Sequence, residues 1–281
     1  MLSPATMEDW SKKLLSSDLQ EKLDHLLFQD AGHGYDTFGM HPSAIRFGVG
    51  LFSWIYEEYF RVVSVGAENI PTTGSAILAP NHSGNIPIDA MMLWNDVLRH
   101  TSPPRVPRGI ADHFVPALPF IGTLFARGGM VGGSSGNVRS LLSKGELLMI
   151  FPEGVPGIVK PWRNKYQLQK FRVGHAQLAI LHSCPIIPVA IVGAEEQLPS
   201  FFASKTLGKI VGIDAVPIPI TPVPLPVRYR IYYGEPIPVH EQYQPADSDN
   251  PKILKKVSQQ VKEQVQALLD RGLSERKGVF R

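Results

Sequence analysis

The segment from Asn81 to Asp89 holds a histidine and an aspartate directly after the apolar run 76–80. The run predicts a buried strand, and open α/β sheets place their sites at the carboxyl ends of strands. A neutral His82 imidazole there can remove a proton from an alcohol, and the Asp89 carboxylate can hold the ring and favour the imidazolium. In the alternative interpretation, Asp89 only caps the next helix and His82 makes a loop hydrogen bond.

A second polar segment, Phe151-Pro152-Glu153-Gly154, follows the apolar run 146–151 in the same way. It brings a carboxylate to the end of another predicted strand. The alternative is an ordinary strand-exit turn, because Pro and Gly are common turn residues. Five cations follow within 13 residues, and they could face phosphates or belong to a solvated loop: Lys160, Arg163, Lys165, Lys170 and Arg172.

The elements that position these segments alternate between short apolar runs and helical patterns. This alternation predicts an α/β fold, a mostly parallel central sheet flanked by helices and preceded by an N-terminal two-helix region. Strands are predicted over 61–65, 76–80, 106–111, 130–131, 146–151, 185–192 and 228–233. Helices are predicted over 89–100, 118–126, 137–144, 173–183 and 251–273. The proline-rich stretch 216–226 is expected to be extended.

The first 60 residues predict two helices, and we divide the chain into a helical membrane-docking region, 1–60, and an α/β domain, 61–281. The first helix spans 7–28, with leucines recurring on one face. The second runs from the N-cap candidate Ser43 to about Phe60 and carries six aromatic residues within 14. These aromatic residues predict either packing onto the core of the next domain or an interfacial helix at headgroup depth, and both can hold on different faces.

Composition narrows the classes of protein. The chain is 43% hydrophobic and 19% charged, which excludes intrinsic disorder. Its net charge of +3 is small for a nucleic-acid binder, so we expect no nucleic-acid partner. Cys184 is the single cysteine and is expected to be a buried thiol, typical of the cytosol. No window of the sequence reads as a membrane span, which predicts a cytoplasmic protein lying on the inner face of a membrane.

Taken together, the segments resemble the glycerolipid acyltransferase superfamily, typified by lysophosphatidic acid acyltransferases. Asn81, His82 and Asp89 look like its first motif, Asn-His, four residues, then Asp. The second motif is similar to Gly122 through Arg127, and the third, Phe-Pro-Glu-Gly-Thr, is matched by residues 151–154. The fourth, an apolar strand around a proline, looks like the run around Pro188. The order and intervals fit over about 62–196.

The continuation Gly193-Ala194-Glu195-Glu196 leans toward the monoacylglycerol and diacylglycerol acyltransferase-like branch. Two features depart from the family pattern. Six residues separate His82 from Asp89, so the extra length must bulge outward if Asp89 is to reach the ring. Val155 stands where the family has Thr, and Pro156 where an Arg often clamps the acceptor phosphate.

The resemblance implies transfer of a fatty acyl group from acyl-CoA or acyl carrier protein to a glycerolipid hydroxyl. His82 would be the base and Asp89 its orienting partner. No metal and no cofactor is expected beyond the acyl donor as substrate, and the partners are membrane lipids and that donor. Candidate oxyanion donors are the amides of 83–85 or 128–129. Substrate contacts are expected at Asn81, Gly122, Arg127, Phe151, Pro152, Glu153, Gly154, Lys160 and Pro188, with Arg127 or Lys160 holding any acceptor phosphate.

Two alternatives stay open from the sequence. Residues 132–136 match the Gly-x-Ser-x-Gly elbow of serine hydrolases, with Asp214 and His240 following in the right order. Against this, Ser134 is equally suited to cap the helix that follows. The other alternative is a catalytically silent lipid-binding protein on a membrane surface.

Overall fold

A computed structural model describes residues 2–83, 87–111, 120–204, 206, 208 and 216–281. Its centre is a seven-stranded sheet of order β1-β9-β6-β2-β5-β3-β4, beside a two-stranded pair, β7-β8. The strands are β1 Val63–Val65, β2 Ala76–Pro80, β3 Arg108–Ala111, β4 Val131–Gly132, β5 Leu147–Met149, β6 Ile186–Val192, β7 Ser200–Ser204, β8 Val216–Pro219 and β9 Arg230–Tyr233. The predicted α/β fold, mostly parallel and flanked by helices, is confirmed.

Helices cover both faces of the sheet. They are α1 Pro4–Leu14, α2 Ser17–Asp24, α3 Pro42–Trp54, α4 Ile88–His100, α5 Ile121–Arg127, α6 Ser135–Ser143, α7 Val155–Ile158, α8 Gly174–Leu181, α9 Ala194–Gln197, α10 Val239–Gln242 and α11 Pro251–Glu275. Within the described ranges, no helix combines the length and the apolar character needed to cross a bilayer.

Strand directions define the edge at which polar segments meet. Strands β2 to β6 of the central sheet run parallel to one another. Strand β9 is antiparallel to β6, and β1 pairs with β9 in parallel. The carboxyl ends of β2 and β5, which are neighbours, therefore lie together at one edge, called here the carboxyl edge. The segments after Pro80 and Met149 meet there because their strands pair in parallel from Ala76 and Leu147 onward.

The core lies on the two faces of the sheet. One cluster packs beneath α6, α8 and α11, and the other beneath α4 and the N-terminal helices. Helix α11 shows how the sequence specifies this packing. Leu254, Val257, Val261 and Val265 recur at helical spacing, and all are buried. Burying each such side chain contributes roughly 1.5–3 kcal/mol.

The N-terminal region differs from its prediction in two respects. The expected single helix over 7–28 is two helices, because Ser16 adopts an extended conformation as the N-cap of α2. The second predicted helix is present as α3 and continues as a π-helical turn, Ile55–Tyr59, but its N-cap is His41 and not Ser43, since the His41 side chain accepts from the Ser43 N–H at 3.1 Å. Tyr56 and Phe60 lie in the core, whereas Trp54 is 63% exposed. The aromatic residues thus occupy two faces, and the division into 1–60 and 61–281 stays a prediction.

Candidate active site

Asn81 fixes the chain as it leaves β2. Its amide oxygen accepts a hydrogen bond from the Ile191 N–H at 2.7 Å, and its amide nitrogen donates to the Ile191 carbonyl at 3.2 Å. The side chain is fully buried. Asn81 therefore mimics one more residue of the β2–β6 ladder and sets the direction in which the next residue, His82, leaves the sheet.

His82 and Asp89 meet at the carboxyl edge. His82 Nδ1 lies 2.7 Å from Asp89 Oδ2, although six residues separate them. Asp89 opens α4 and is fully buried, whereas the His82 side chain remains 12% exposed. The Ser83 N–H donates to Oδ2 at 2.9 Å and the Ala90 N–H to Oδ1 at 2.8 Å, so backbone donors hold the carboxylate in place. The intervening residues 84–86 lie outside the described part of the chain.

Glu153 supports the loop that carries His82. Its Oε1 accepts from the His82 N–H at 3.0 Å, and its Oε2 accepts from the Gln169 N–H at 2.7 Å. The side chain is fully buried. Glu153 thus binds the exit of β2 to the segment preceding α8, and both of its oxygens are directed at backbone donors rather than at an open acceptor site.

Close packing around the imidazole limits its movement. The Phe151 ring lies against the His82 ring with centroids 4.1 Å apart. A Cβ at Gly157 would stand 3.1 Å from both the His82 Cβ and the His82 carbonyl, and 2.9 Å from the Glu153 Cβ. The backbone that carries His82 passes so close to Gly157 that a larger residue would not fit at this position. The sequence analysis did not single out this glycine, because only the folded chain shows the close approach.

The five cations between residues 160 and 172 differ in burial and in their contacts. Lys160 is buried, and its Nζ lies 2.8 Å from Glu195 Oε1. Burial raises the pKa of the Glu195 carboxyl to about 7, and Lys160 opposes that shift. A phosphate could reach Lys160 only by displacing Glu195. Arg172 is exposed, and its guanidinium lies 3.3 Å from the position that a Gly154 Cβ would take.

The remaining predicted contacts are spread over other elements. Arg127 donates to the Leu2 carbonyl at 2.8 Å, and Gly122 is buried within α5. Pro152 is buried in the turn after β5, and its carbonyl accepts from the Arg172 N–H. Pro188 lies inside β6, paired with Ala79 of β2. The substrate contacts of these residues stay predictions.

The described amides among the candidate oxyanion donors are already engaged. Ser83 N–H donates to Asp89, Gly128 N–H to the Leu124 carbonyl, and Gly129 N–H to the Ala126 carbonyl. Gly128 and Gly129 follow the carboxyl end of α5, where N–H groups still donate to carbonyls of the last turn and only carbonyl groups are left free. The candidates Gly84 and Asn85 lie outside the described residues.

The elbow residues do not form a triad in the described structure. Ser134 Oγ accepts from the Asn137 N–H and caps α6, which begins after the carboxyl end of β4. His240 lies in α10, next to Ile237, which bridges to Ile186 at the start of β6. The two residues therefore belong to opposite edges of the sheet. Asp214 lies outside the described residues.

A mostly parallel α/β sheet with a histidine–carboxylate pair and a Pro-Glu-Gly turn at its carboxyl edge agrees with an acyltransferase-type protein. Residues 61–192 match the family model described as Acyltransferase, and the chain belongs to this acyltransferase family. The predicted resemblance is thereby confirmed, as is the enzyme class, an O-acyltransferase.

Three comparisons show which known proteins the chain resembles. An uncharacterized protein of Mycobacterium tuberculosis is 35% identical over 263 residues, which cover 88% of this chain and 72% of that protein. A Bos taurus protein named DGAT1/2-independent enzyme synthesizing storage lipids is 30% identical over 73% of this chain, which spans 58% of that enzyme. The crystal structure of the 1-acyl-sn-glycerophosphate (LPA) acyltransferase PlsC from Thermotoga maritima shares the fold, with a TM-score of 0.54 at 20% identity over 84% of this chain and 80% of that one.

Proposed function

We propose that the enzyme transfers a fatty acyl group from a coenzyme A or acyl carrier protein thioester to a hydroxyl of a membrane glycerolipid. The observation that carries this proposal is the 2.7 Å contact between His82 Nδ1 and the fully buried Asp89 Oδ2 at the carboxyl edge. It favours His82 as the base over the interpretation in which Asp89 is only a helix cap.

The hydrogen bonds around Asp89 indicate the tautomer of His82. An ionised carboxylate can only accept hydrogen bonds, so the proton shared between the two groups is donated by Nδ1. The lone pair of the neutral ring then lies on Nε2. Among the described residues, none donates a hydrogen bond to Nε2. This nitrogen is therefore the one placed to receive a proton from an acceptor hydroxyl.

The transfer then follows from the thioester chemistry. As Nε2 removes the hydroxyl proton, the alcohol oxygen attacks the thioester carbonyl and a tetrahedral oxyanion forms. Its collapse breaks the C–S bond, forms the ester, and returns the proton from the imidazolium to the departing thiolate. Asp89 stabilises the imidazolium between these two proton transfers. Glu153, Phe151 and Gly157 hold the ring in position.

The acceptor side offers a choice between a neutral and a phosphate-bearing glycerolipid. Pairing of Lys160 with Glu195 and the substitution of Pro156 for the family's arginine favour a neutral acceptor such as monoacylglycerol or diacylglycerol. The name of the Bos taurus relative points the same way. Arg172 beside Gly154 is the cation that a phosphate-bearing acceptor would meet.

A panel of acceptors tests the proposal. Purified enzyme is given labelled palmitoyl-CoA or palmitoyl-acyl carrier protein with lysophosphatidate, other lysophospholipids, monoacylglycerol or diacylglycerol in vesicles. We expect labelled ester product from at least one acceptor, absent from the His82→Ala control. Label that appears only as free palmitate, or no transfer from either donor, would contradict a glycerolipid acyltransferase.

The variant Arg172→Gln then separates the two acceptor types. A hydrogen bond to a charged group contributes about 1.5–3 kcal/mol, which is roughly tenfold to a hundredfold in kcat/KM. We expect this loss for lysophosphatidate and no loss for monoacylglycerol. Lys170→Gln, an exposed cation two residues away, is the matched control. Equal kcat/KM values for wild type and Arg172→Gln with lysophosphatidate would remove Arg172 from the acceptor site.

We also propose that the enzyme works as a peripheral protein on the cytoplasmic face of a membrane. Its substrates and products are bilayer lipids in this proposal, and the exposed Leu51 and Trp54 on α3 support an interfacial role for that helix. The buried Tyr56 and Phe60 anchor the same segment to the core.

A further inference from the structure

The proline-rich loop, residues 218–227, exposes apolar side chains at the carboxyl edge. Ile218, Ile220 and Val223 are 46%, 59% and 64% exposed, and the sequence has no charged residue from 215 to 227. Phe280, 55% exposed, lies close by, because Arg61 donates both to its carbonyl and to that of Pro226. Monomeric proteins rarely expose contiguous apolar surface unless it binds something.

The loop is continuous with the aromatic end of α3. The Tyr59 hydroxyl donates to the Pro224 carbonyl, and the Trp54 and Tyr59 rings lie 5.7 Å apart. Trp54 is the most exposed aromatic side chain of this segment. One surface, called here the docking face, therefore comprises Trp54, Ile218, Ile220, Val223 and Phe280.

The backbone of the loop is unusually poor in free hydrogen-bond donors. Prolines at 219, 222, 224 and 226 have no N–H. The N–H groups of Ile220, Leu225 and Val227 donate to protein carbonyls. Each unsatisfied backbone group costs several kcal/mol in hydrocarbon, so irregular chain is normally kept out of lipid. This loop therefore avoids most of the part of that cost that comes from N–H donors.

Arginines lie at the base of the docking face. Arg61 donates to the carbonyls of Tyr59 and Pro226, and Arg228 and Arg230 follow the loop directly. Among the described residues, none of these three arginines lies within 4.0 Å of an Asp or Glu carboxylate. Arg230 donates to the main-chain oxygen of Arg281 at 3.1 Å. A hydrogen bond from Arg271 lowers the pKa of Glu275, and the charge of Arg230 contributes to that lowering. Glu57 of the π-helical turn is already paired with Arg99 at 2.6 Å, which leaves Glu58 as the unpaired acid of that turn.

The docking face and His82 belong to the same edge of the sheet. Arg230, where β9 begins, pairs with Val192 at the carboxyl end of β6. His82 follows the carboxyl end of β2, which is parallel to β6 and its neighbour. A membrane bound through the docking face would thus lie on the side of the molecule where the His82 side chain is partly exposed.

We propose that the docking face binds a bilayer containing anionic phospholipids, with the proline-rich loop inserted among the acyl chains and Arg61, Arg228 and Arg230 at headgroup depth. Exposed apolar side chains, few free backbone donors and arginines without an Asp or Glu partner within 4.0 Å fit this occupant, because each basic residue near an anionic bilayer adds attraction. The proposal rests on the proposed function in that the acceptor is a bilayer lipid. The proline-rich loop would give the protein a second contact with the membrane, in addition to the one proposed for α3.

Vesicle flotation tests the proposal with the full chain. Wild type, Ile220→Glu/Val223→Glu and Arg228→Gln/Arg230→Gln are mixed with phosphatidylcholine vesicles with or without phosphatidylglycerol. We expect the wild type to favour the anionic vesicles, and each double variant to bind them about tenfold more weakly. Matched controls at the opposite edge are Leu27→Glu, exposed beside Pro104, and Lys252→Gln/Lys255→Gln at the start of α11; both should bind like wild type.

Circular dichroism and thermal melts confirm that each variant is folded, and transfer between dispersed short-chain substrates is measured in parallel. If the folded Ile220→Glu/Val223→Glu variant binds vesicles as strongly as the wild type, the loop does not insert into the bilayer and the proposal is overturned. Equal binding of wild type to both vesicle types overturns the role of the arginines. The proposal is also overturned if the wild type does not bind vesicles but self-associates, and the Ile220→Glu/Val223→Glu variant does not self-associate. The docking face would then bind a second copy of the chain. Vesicle binding without any transfer contradicts the proposed function and leaves the docking face in place.

Discussion

Helix α4 carries two fully buried aspartates seven residues apart, and their surroundings differ in one decisive way. Asp89 accepts from backbone N–H groups and from His82, whose ring reaches solvent at the carboxyl edge. Asp96 accepts from the hydroxyls of Tyr56, Ser64 and Tyr233. His100 also lies beside Asp96, but its Nδ1 is 3.4 Å from Oδ1 and closer, at 2.9 Å, to the Asp96 main-chain carbonyl. Seven residues are about two helical turns, so both carboxylates lie on the same face of α4.

The comparison shows that a buried carboxylate with hydrogen-bond donors is not in itself a catalytic feature. Burying a charge is costly unless donors compensate it, and both sites satisfy that requirement. At Asp96 the donors link the π-helical turn, β1 and β9 to α4, and Asp96 raises the pKa values of Tyr56 and Tyr233 together with burial. At Asp89 the imidazole of His82 contacts the carboxylate at 2.7 Å and keeps its second nitrogen for chemistry at the carboxyl edge, whereas His100 lies 3.4 Å from Asp96 at the last residue of α4. Asp96 is therefore a structural centre.

Replacing Asp89 or Asp96 by asparagine should give the largest difference between the catalytic and the structural role. We expect Asp89→Asn to lower kcat by about 10²–10⁴, because the charge and the tautomer control of His82 are both lost. Asp96→Asn should leave the kcat of the folded protein unchanged and lower the free energy of unfolding by about 1–3 kcal/mol. Steady-state transfer assays and urea unfolding measure the two effects. An Asp89→Asn enzyme with wild-type kcat would reduce Asp89 to a helix cap, since Asn caps as well as Asp.

A smaller effect is expected from one hydroxyl of the Asp96 centre. Tyr233→Phe removes the 2.6 Å hydrogen bond to Asp96 Oδ2 and should cost roughly 1 kcal/mol of unfolding free energy without changing kcat. Tyr243→Phe is the control, because no hydrogen bond of its hydroxyl is found within the described ranges. A stability loss shared equally by both variants would contradict the assignment of Asp96 as a structural centre.

The smallest effect concerns pH. A hydrogen bond to Asp96 raises the pKa of His100 above its usual 6.5, against desolvation and nearby Lys22. A raised pKa in the folded state stabilises the protein below the unfolded value, and this stability is lost as pH rises through the folded pKa. His100→Gln should therefore destabilise the protein at pH 5.5 more than at pH 8.5. The difference should stay under about 1 kcal/mol, because the His100 side chain is 40% exposed. A constant difference between the two pH values would contradict this contribution.

The sequence predicted the elements of the sheet because buried parallel strands appear as short apolar runs between turn residues. The boundaries of β2 were predicted without error, and β5 and β9 are shorter than predicted. The break at Ser16 was missed, because a serine between two leucine-bearing segments fits a continuous helical pattern. The hairpin β7-β8 was also missed, because proline-rich segments resemble loops in composition.

The part of the site formed by residues close together in the sequence was predictable. His82 and Asp89 lie at the ends of adjacent elements, so the sequence places them near one another. The pairing of Lys160 with Glu195 joins residues 35 positions apart and engages one of the two cations, Arg127 and Lys160, that were expected at an acceptor phosphate. The Asp96 centre joins residues from 56 to 233, and no spacing in the sequence could show it.

The most direct test of the account compares two histidines that each contact an aspartate of α4. His82→Ala and His100→Ala are assayed for acyl transfer with the best donor and acceptor, beside circular dichroism to confirm the fold. Loss of the general base should lower kcat by about 10²–10⁴ in His82→Ala, while His100→Ala keeps wild-type kcat. A folded His82→Ala enzyme that retains more than about a tenth of wild-type kcat would contradict His82 as the base.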